Sequence, residues 1–181
     1  MIVYQQQWLE ILAAFDNDRV VPYADLIDAW GESQAGDLLW NGFGLIGGGR
    51  CGARLGTLVP RKPVDFYRGY TCRHELLYAP HSHFDLLGNF VPAFCGGISI
   101  GSWHNLVGIR EQADQGGLPQ LVQILIEQGP AGLVDLAEGQ GFRPDPDGYA
   151  DKCHLCVDVR RWLVRQGDCS ELQPEDFYSS F

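Results

Sequence analysis

Apolar side chains at Trp8, Leu9, Ile11, Leu12 and Phe15 recur at helical spacing, so the pattern over residues 4–15 predicts a first helix with one greasy face. Residues 21–30 carry a proline near a plausible helix start and end at Gly31, which predicts a second amphipathic helix. Glycine then dominates residues 36–56, which read as a turn-rich connection. Within it Gly42-Phe-Gly44-Leu-Ile-Gly47 spells the dinucleotide fingerprint, but that motif needs a strand before it and a helix after it. Gly47-Gly-Gly-Arg-Cys-Gly is a poor helix start, so nucleotide binding is not expected. Residues 60–70, with two prolines, read as an irregular connector.

The pattern then shortens. Residues 81–85 and 90–94 read as two strands flanking Leu86-Leu-Gly-Asn89, a turn with good candidates for positive φ, and Ile98-Ser-Ile-Gly101 suggests a third extended piece. Helical periodicity returns at 118–128, 130–138 and 151–165, closed by Gly129, Gly139 and Gly167. The tail over 172–178 is partly aromatic and is expected to pack on the body. These elements predict an α+β fold, a short β-hairpin with surrounding helices and long Gly/Pro-rich loops. Residues 1–48 are expected to form a helical segment and 49–181 the main domain.

Composition narrows the function. The chain has 181 residues, of which 45% are hydrophobic, interrupted by 23 glycines and 10 prolines, and no apolar run reaches the roughly 20 residues of a membrane helix. A net charge of -10 opposes binding to nucleic acid or anionic membranes. The first residues, Met-Ile-Val-Tyr-Gln-Gln-Gln-Trp, lack the basic region of a signal peptide, so a cytoplasmic location is expected. In that reducing compartment the six cysteines are expected to be ligands or buried thiols rather than disulfides.

The candidate chemistry sits in four of them: Cys72, Cys95 and the tight pair Cys153-x-x-Cys156. Cluster and zinc sites commonly combine such a pair with distant cysteines, and a metal bound only by the folded chain adds its binding free energy to folding. The pair falls at a predicted helix start, where free N–H groups and the helix dipole favour negative sulfur, with Lys152 and Arg160 near enough to offset charge. A thioredoxin-like redox role lacks the preceding βαβ pattern. Cys51 and Cys169 are spare, although Cys51 could replace Cys72 as a ligand. A competing site, a hydrolase triad of His81, His83 and Asp85, would need further ligands. His74, His104 and His154 show no ligand spacing, and Asp85 fits a turn cap better. No Gly-x-Ser-x-Gly elbow, P-loop or HExxH occurs.

The run His83-Phe-Asp-Leu-Leu-Gly88-Asn89-Phe-Val-Pro-Ala-Phe-Cys95-Gly-Gly-Ile-Ser-Ile-Gly101 resembles the carboxy-terminal auxiliary region of radical SAM enzymes, the SPASM type. Tyr149-Ala-Asp-Lys-Cys153-His-Leu-Cys156-Val-Asp-Val-Arg160 is similar to the later part of that region. The resemblance spans 72–160 and implies that Cys72, Cys95, Cys153 and Cys156 hold a [4Fe-4S] cluster. It further implies that Gly88 and Asn89 turn the hairpin, and that Gly96 and Gly97 let backbone approach the inorganic sulfurs. The family's catalytic barrel and its Cys-x-x-x-Cys-x-x-Cys motif are missing, as are the roughly 200 residues a barrel needs. The implied role is therefore electron transfer or docking beside a radical SAM catalytic domain or redox partner, without S-adenosylmethionine cleavage by this chain alone; residues 1–48 would be a barrel remnant or a cap. Four thiolates suit zinc as well, and a four-cysteine structural zinc module for protein interaction is the alternative.

Overall fold

The computed structural model describes residues 21–78, 82–92, 95–167 and 169–179. The helix expected over 4–15 lies outside them. Helix α1, Tyr23–Trp30, starts behind Pro22 and stops at Gly31, whose φ of 81° is open to glycine at little cost. Helix α2, Glu32–Asp37, runs into a π-helical turn at Leu38–Gly42, and α3 spans Arg50–Leu55.

These elements correct the reading of 36–56 as a turn-rich connection and of the glycine run as a poor helix start. Two of the glycines serve close packing rather than turning. A Cβ on Gly36 would collide with the Leu58 carbonyl oxygen, and one on Gly52 with that of Gly47. The backbone N–H of Gly47 donates to Asp151 Oδ2 at 2.7 Å, which ties the first part of the chain to the last long helix.

Helix α4, Arg73–Leu77, precedes the hairpin of β1, Ser82–Phe84, and β2, Phe90–Pro92, an antiparallel pair with His83 opposite Val91. Asp85 closes its turn: Oδ1 accepts from the backbone N–H groups of Leu87 and Asn89, both at 2.9 Å, and Oδ2 from the Asn89 amide at 2.7 Å. Gly88 supplies the positive φ, at 86°. The third extended piece does not become a strand, yet it runs along β2, with the Phe90 N–H donating to Gly101 and the Ile100 N–H to Phe90.

Helix α5, Leu106–Asp114, was not anticipated; it buries only Ile109, so its sequence carries a weak apolar stripe. The predicted helices further on are present as α6, Gln120–Glu127, α7, Gly129–Glu138, and α8, Lys152–Gln166. Asp151 caps α8 by accepting from the His154 N–H at 2.7 Å, and Gly167 ends it with a φ of 92°. A short α9, Glu175–Ser179, folds the tail back and buries Tyr178.

The core is the seam of α6, α7 and α8. Leu125, Leu133, Leu155, Val159 and Leu163 are buried there together with Leu172 from the tail, each such side chain contributing roughly 1.5–3 kcal/mol. The architecture is α+β, a small two-stranded hairpin set among helices. Among the described residues no helix is long and apolar enough to cross a membrane.

Candidate metal centre

Each thiol is fixed by a different piece of local structure. Cys72 stands directly before α4, and its N–H donates to the Leu125 carbonyl of α6 at 2.9 Å, which pins that loop to the core. Cys95 follows the hairpin; its N–H donates to Pro92 and its carbonyl accepts from Ile98, so it opens a tight turn through Gly97, whose φ is 80°. Cys153 and Cys156 lie in the first turns of α8. Cys72 and Cys156 are buried, Cys95 and Cys153 half-buried, and none of the four is tied into a disulfide.

The four act on one another. Burial pushes the Cys72 thiol up to about 12, and the nearby Cys156 and Cys95 add to the shift. Cys95 is raised to about 11 by burial and by Cys156, against the pull of Arg160 and Lys152. Cys153 is raised further still, by burial and then by Asp151 and the other three thiols. Two loops and one helix thus bring the four predicted residues within reach of one another's charge. Cys51, in α3, answers instead to burial and Asp151.

Two cations border this group, and they differ. Lys152 is already matched, donating to Glu75 Oε1 at 2.5 Å and to the Thr71 carbonyl at 3.1 Å. Arg160, one helical turn beyond Cys156, is only 3% exposed. Its Nη1 donates to the Gly96 carbonyl at 2.9 Å and to the Tyr178 hydroxyl at 3.0 Å, and the Cys156 and Cys95 thiols lie near enough to act on its charge. Its Nε–H is buried with no partner among the described residues. Burial works against its charge, yet Tyr178, Cys156 and Cys95 hold its pKa above the ordinary arginine value. Tyr178 is no counter-ion: burial pushes its phenol up to about 12, and it donates to the Gly97 carbonyl at 2.5 Å. An interior guanidinium therefore meets neutral partners and thiols, with no carboxylate bonded to it among the described residues.

Gly96 and Gly97 have an immediate steric reason. A Cβ on Gly96 would meet the Phe177 ring at 3.0 Å, and one on Gly97 the Tyr178 ring at 2.8 Å, so α9 packs where side chains would stand. Of the histidine triad, His81 lies outside the described residues, His83 is on the exposed hairpin, and both oxygens of Asp85 serve the turn. Among the described residues no three or more His, Cys, Asp or Glu side chains are grouped as they stand to hold one metal ion. Four thiolates around a single zinc would stand about 3.8 Å apart, as tetrahedral bonds of ~2.3 Å require. Those of a cluster each bind a different iron and stand wider.

The sequence pointed to Arg160 as a nearby charge, but not to its burial or to Tyr178, eighteen residues on and brought back only by the tail. Fold and site together define a small α+β protein with four thiols and one guanidinium in its interior. Comparison with protein-family models, curated proteins and solved structures found no match.

Proposed function

We propose that Cys72, Cys95, Cys153 and Cys156 bind a [4Fe-4S] cluster, and that the protein serves as an auxiliary iron-sulfur unit in electron transfer or in docking beside a radical SAM enzyme. The observation that carries this reading is Arg160. A buried cation costs several kcal/mol unless an anion balances it, and the groups facing this one are a neutral phenol, a carbonyl and thiols. Metal binding turns those thiols into thiolates and supplies the missing negative charge. The donor set is all sulfur, which suits iron-sulfur clusters and zinc and disfavours hard cations. The hairpin-borne Cys95 and helix-borne Cys153 and Cys156 match the resemblance to the SPASM region, which favours the cluster.

Bound there, a cluster would supply one-electron chemistry. The chain's own groups hold and tune it: the α8 N-terminus and Lys152 favour the thiolates, and Arg160 adds an N–H and a full charge beside Cys156. The test is anaerobic reconstitution with iron and sulfide. A brown protein with broad visible absorbance that bleaches on reduction supports the proposal. A colourless product that binds zinc through the same thiols would replace it with the structural zinc module, and one that takes up neither metal would overturn both.

A further inference from the structure

The face of α8 adjoining the thiols carries His154, Asp158 and Arg161, and it opens onto a cavity of about 410 Å³. The carboxylates in its wall are already occupied. Asp145 accepts from Arg61 Nη1 at 2.9 Å through one oxygen and from the Asp147 N–H at 2.9 Å through the other. Asp158 accepts from the Tyr149 hydroxyl at 2.9 Å and faces Arg161 at 3.6 Å through its second oxygen.

Donors remain. Arg143 lines the cavity and makes one bond among the described residues, from Nη1 to the Phe142 carbonyl at 2.7 Å, which leaves Nε and Nη2 without a protein partner there. His154 Nδ1 accepts from the Ala150 N–H at 3.3 Å, which places the ring proton on Nε2. Glycines clamp the rest of that ring. A Cβ on Gly52 would come 3.0 Å from Cγ and Cδ2, and one on Gly56 2.8 Å from Cε1 and 2.9 Å from Nδ1, while Nε2 makes no hydrogen bond among the described residues. Thr57 adds a hydroxyl at the rim.

We propose that this cavity binds the oxyanion of a small molecule, a carboxylate or a phosphoryl group, with the Arg143 fork as its charged anchor and His154 Nε2–H and Thr57 as neutral donors. A chain of net charge -10 repels anions from most of its surface. Here three guanidiniums and two carboxylates line the cavity, a local excess of positive charge, and a fork of parallel N–H groups matches either oxyanion. None of the four thiols lines the cavity, so the inference stands whether or not the cysteines carry metal.

The test is calorimetric titration of the full-length protein with inorganic phosphate and, separately, with citrate, at constant ionic strength against a chloride reference. The expected result is saturable binding of at least one anion at one site. Arg143→Gln, at an exposed position and with circular dichroism expected to match the wild type, should weaken it about tenfold, the loss of one charge-assisted contact. Arg68→Gln, on a remote surface ion pair, should leave it unchanged. Tighter phosphate assigns a phosphoryl ligand and tighter citrate a carboxylate. Neither anion saturating beyond chloride, or Arg143→Gln binding as tightly as the wild type, would overturn the proposal.

Discussion

Two adjoining faces of α8 show opposite solutions to the same problem. On one, Asp158 and Arg161 face each other and Tyr149 donates to Asp158, so the carboxylate of that face is paired within the chain. On the other, Arg160 is buried against Cys156, Tyr178 and a carbonyl, and no carboxylate bonds to it among the described residues. The charge of Asp158 on the first face is met by the chain's own groups. The second becomes electrically complete only when the thiols ionise, which is the ground on which we propose a metal centre there.

The largest expected effect comes from breaking the second face. Cys156→Ala should abolish iron uptake in anaerobic reconstitution, whereas Asp158→Asn, on the first face, should retain the wild-type iron content; equal loss in both would erase the distinction. Next comes Arg160→Met, whose effect should change sign with loading. In metal-free protein, removing a buried unbalanced cation should stabilise the fold by about 2 kcal/mol by urea unfolding. In loaded protein the same change should speed loss of visible absorbance to a chelator. Stability falling in the metal-free state would show that the guanidinium is already balanced.

Tyr149→Phe sharpens the comparison from the other side. It removes the hydroxyl that donates to Asp158 and accepts from the Asp145 N–H, and should cost about 1 kcal/mol whether or not metal is bound. The smallest effect is at the hairpin that carries Cys95. Burial slightly raises the Asp85 pKa, but hydrogen bonds from Asn89, Leu87 and Gly88 outweigh this and hold it below the ordinary 3.8. The turn's stabilisation is therefore present above pH ~4 and lost as pH falls through the lowered folded value. The Asn89 amide resonance, followed down the pH scale, should shift only below about pH 4, and an Asp85→Asn variant should show no such step.

Much of this was legible in the sequence where local chemistry decides the structure. Pro22 and Gly31 bracket α1, Asp151 and Gly167 bracket α8, and Gly88 with Asp85 makes the hairpin turn, each through its own backbone preference. The glycine-rich stretch misled because glycine has two uses. Gly36 and Gly52 are glycine for close approach to Leu58 and to Gly47, a tertiary demand that leaves no local signature. At the candidate site, the spacing showed which thiols could converge, while the burial of Arg160 and the return of Tyr178 depend on how α8 and α9 pack.

The central claim is most directly tested by determining iron, acid-labile sulfide and zinc per chain in full-length protein reconstituted and desalted without oxygen. The account predicts about four irons and four sulfides with negligible zinc, all lost when Cys153 is replaced by alanine. Protein that emerges free of iron and sulfide with its cysteine thiols still titratable would contradict it.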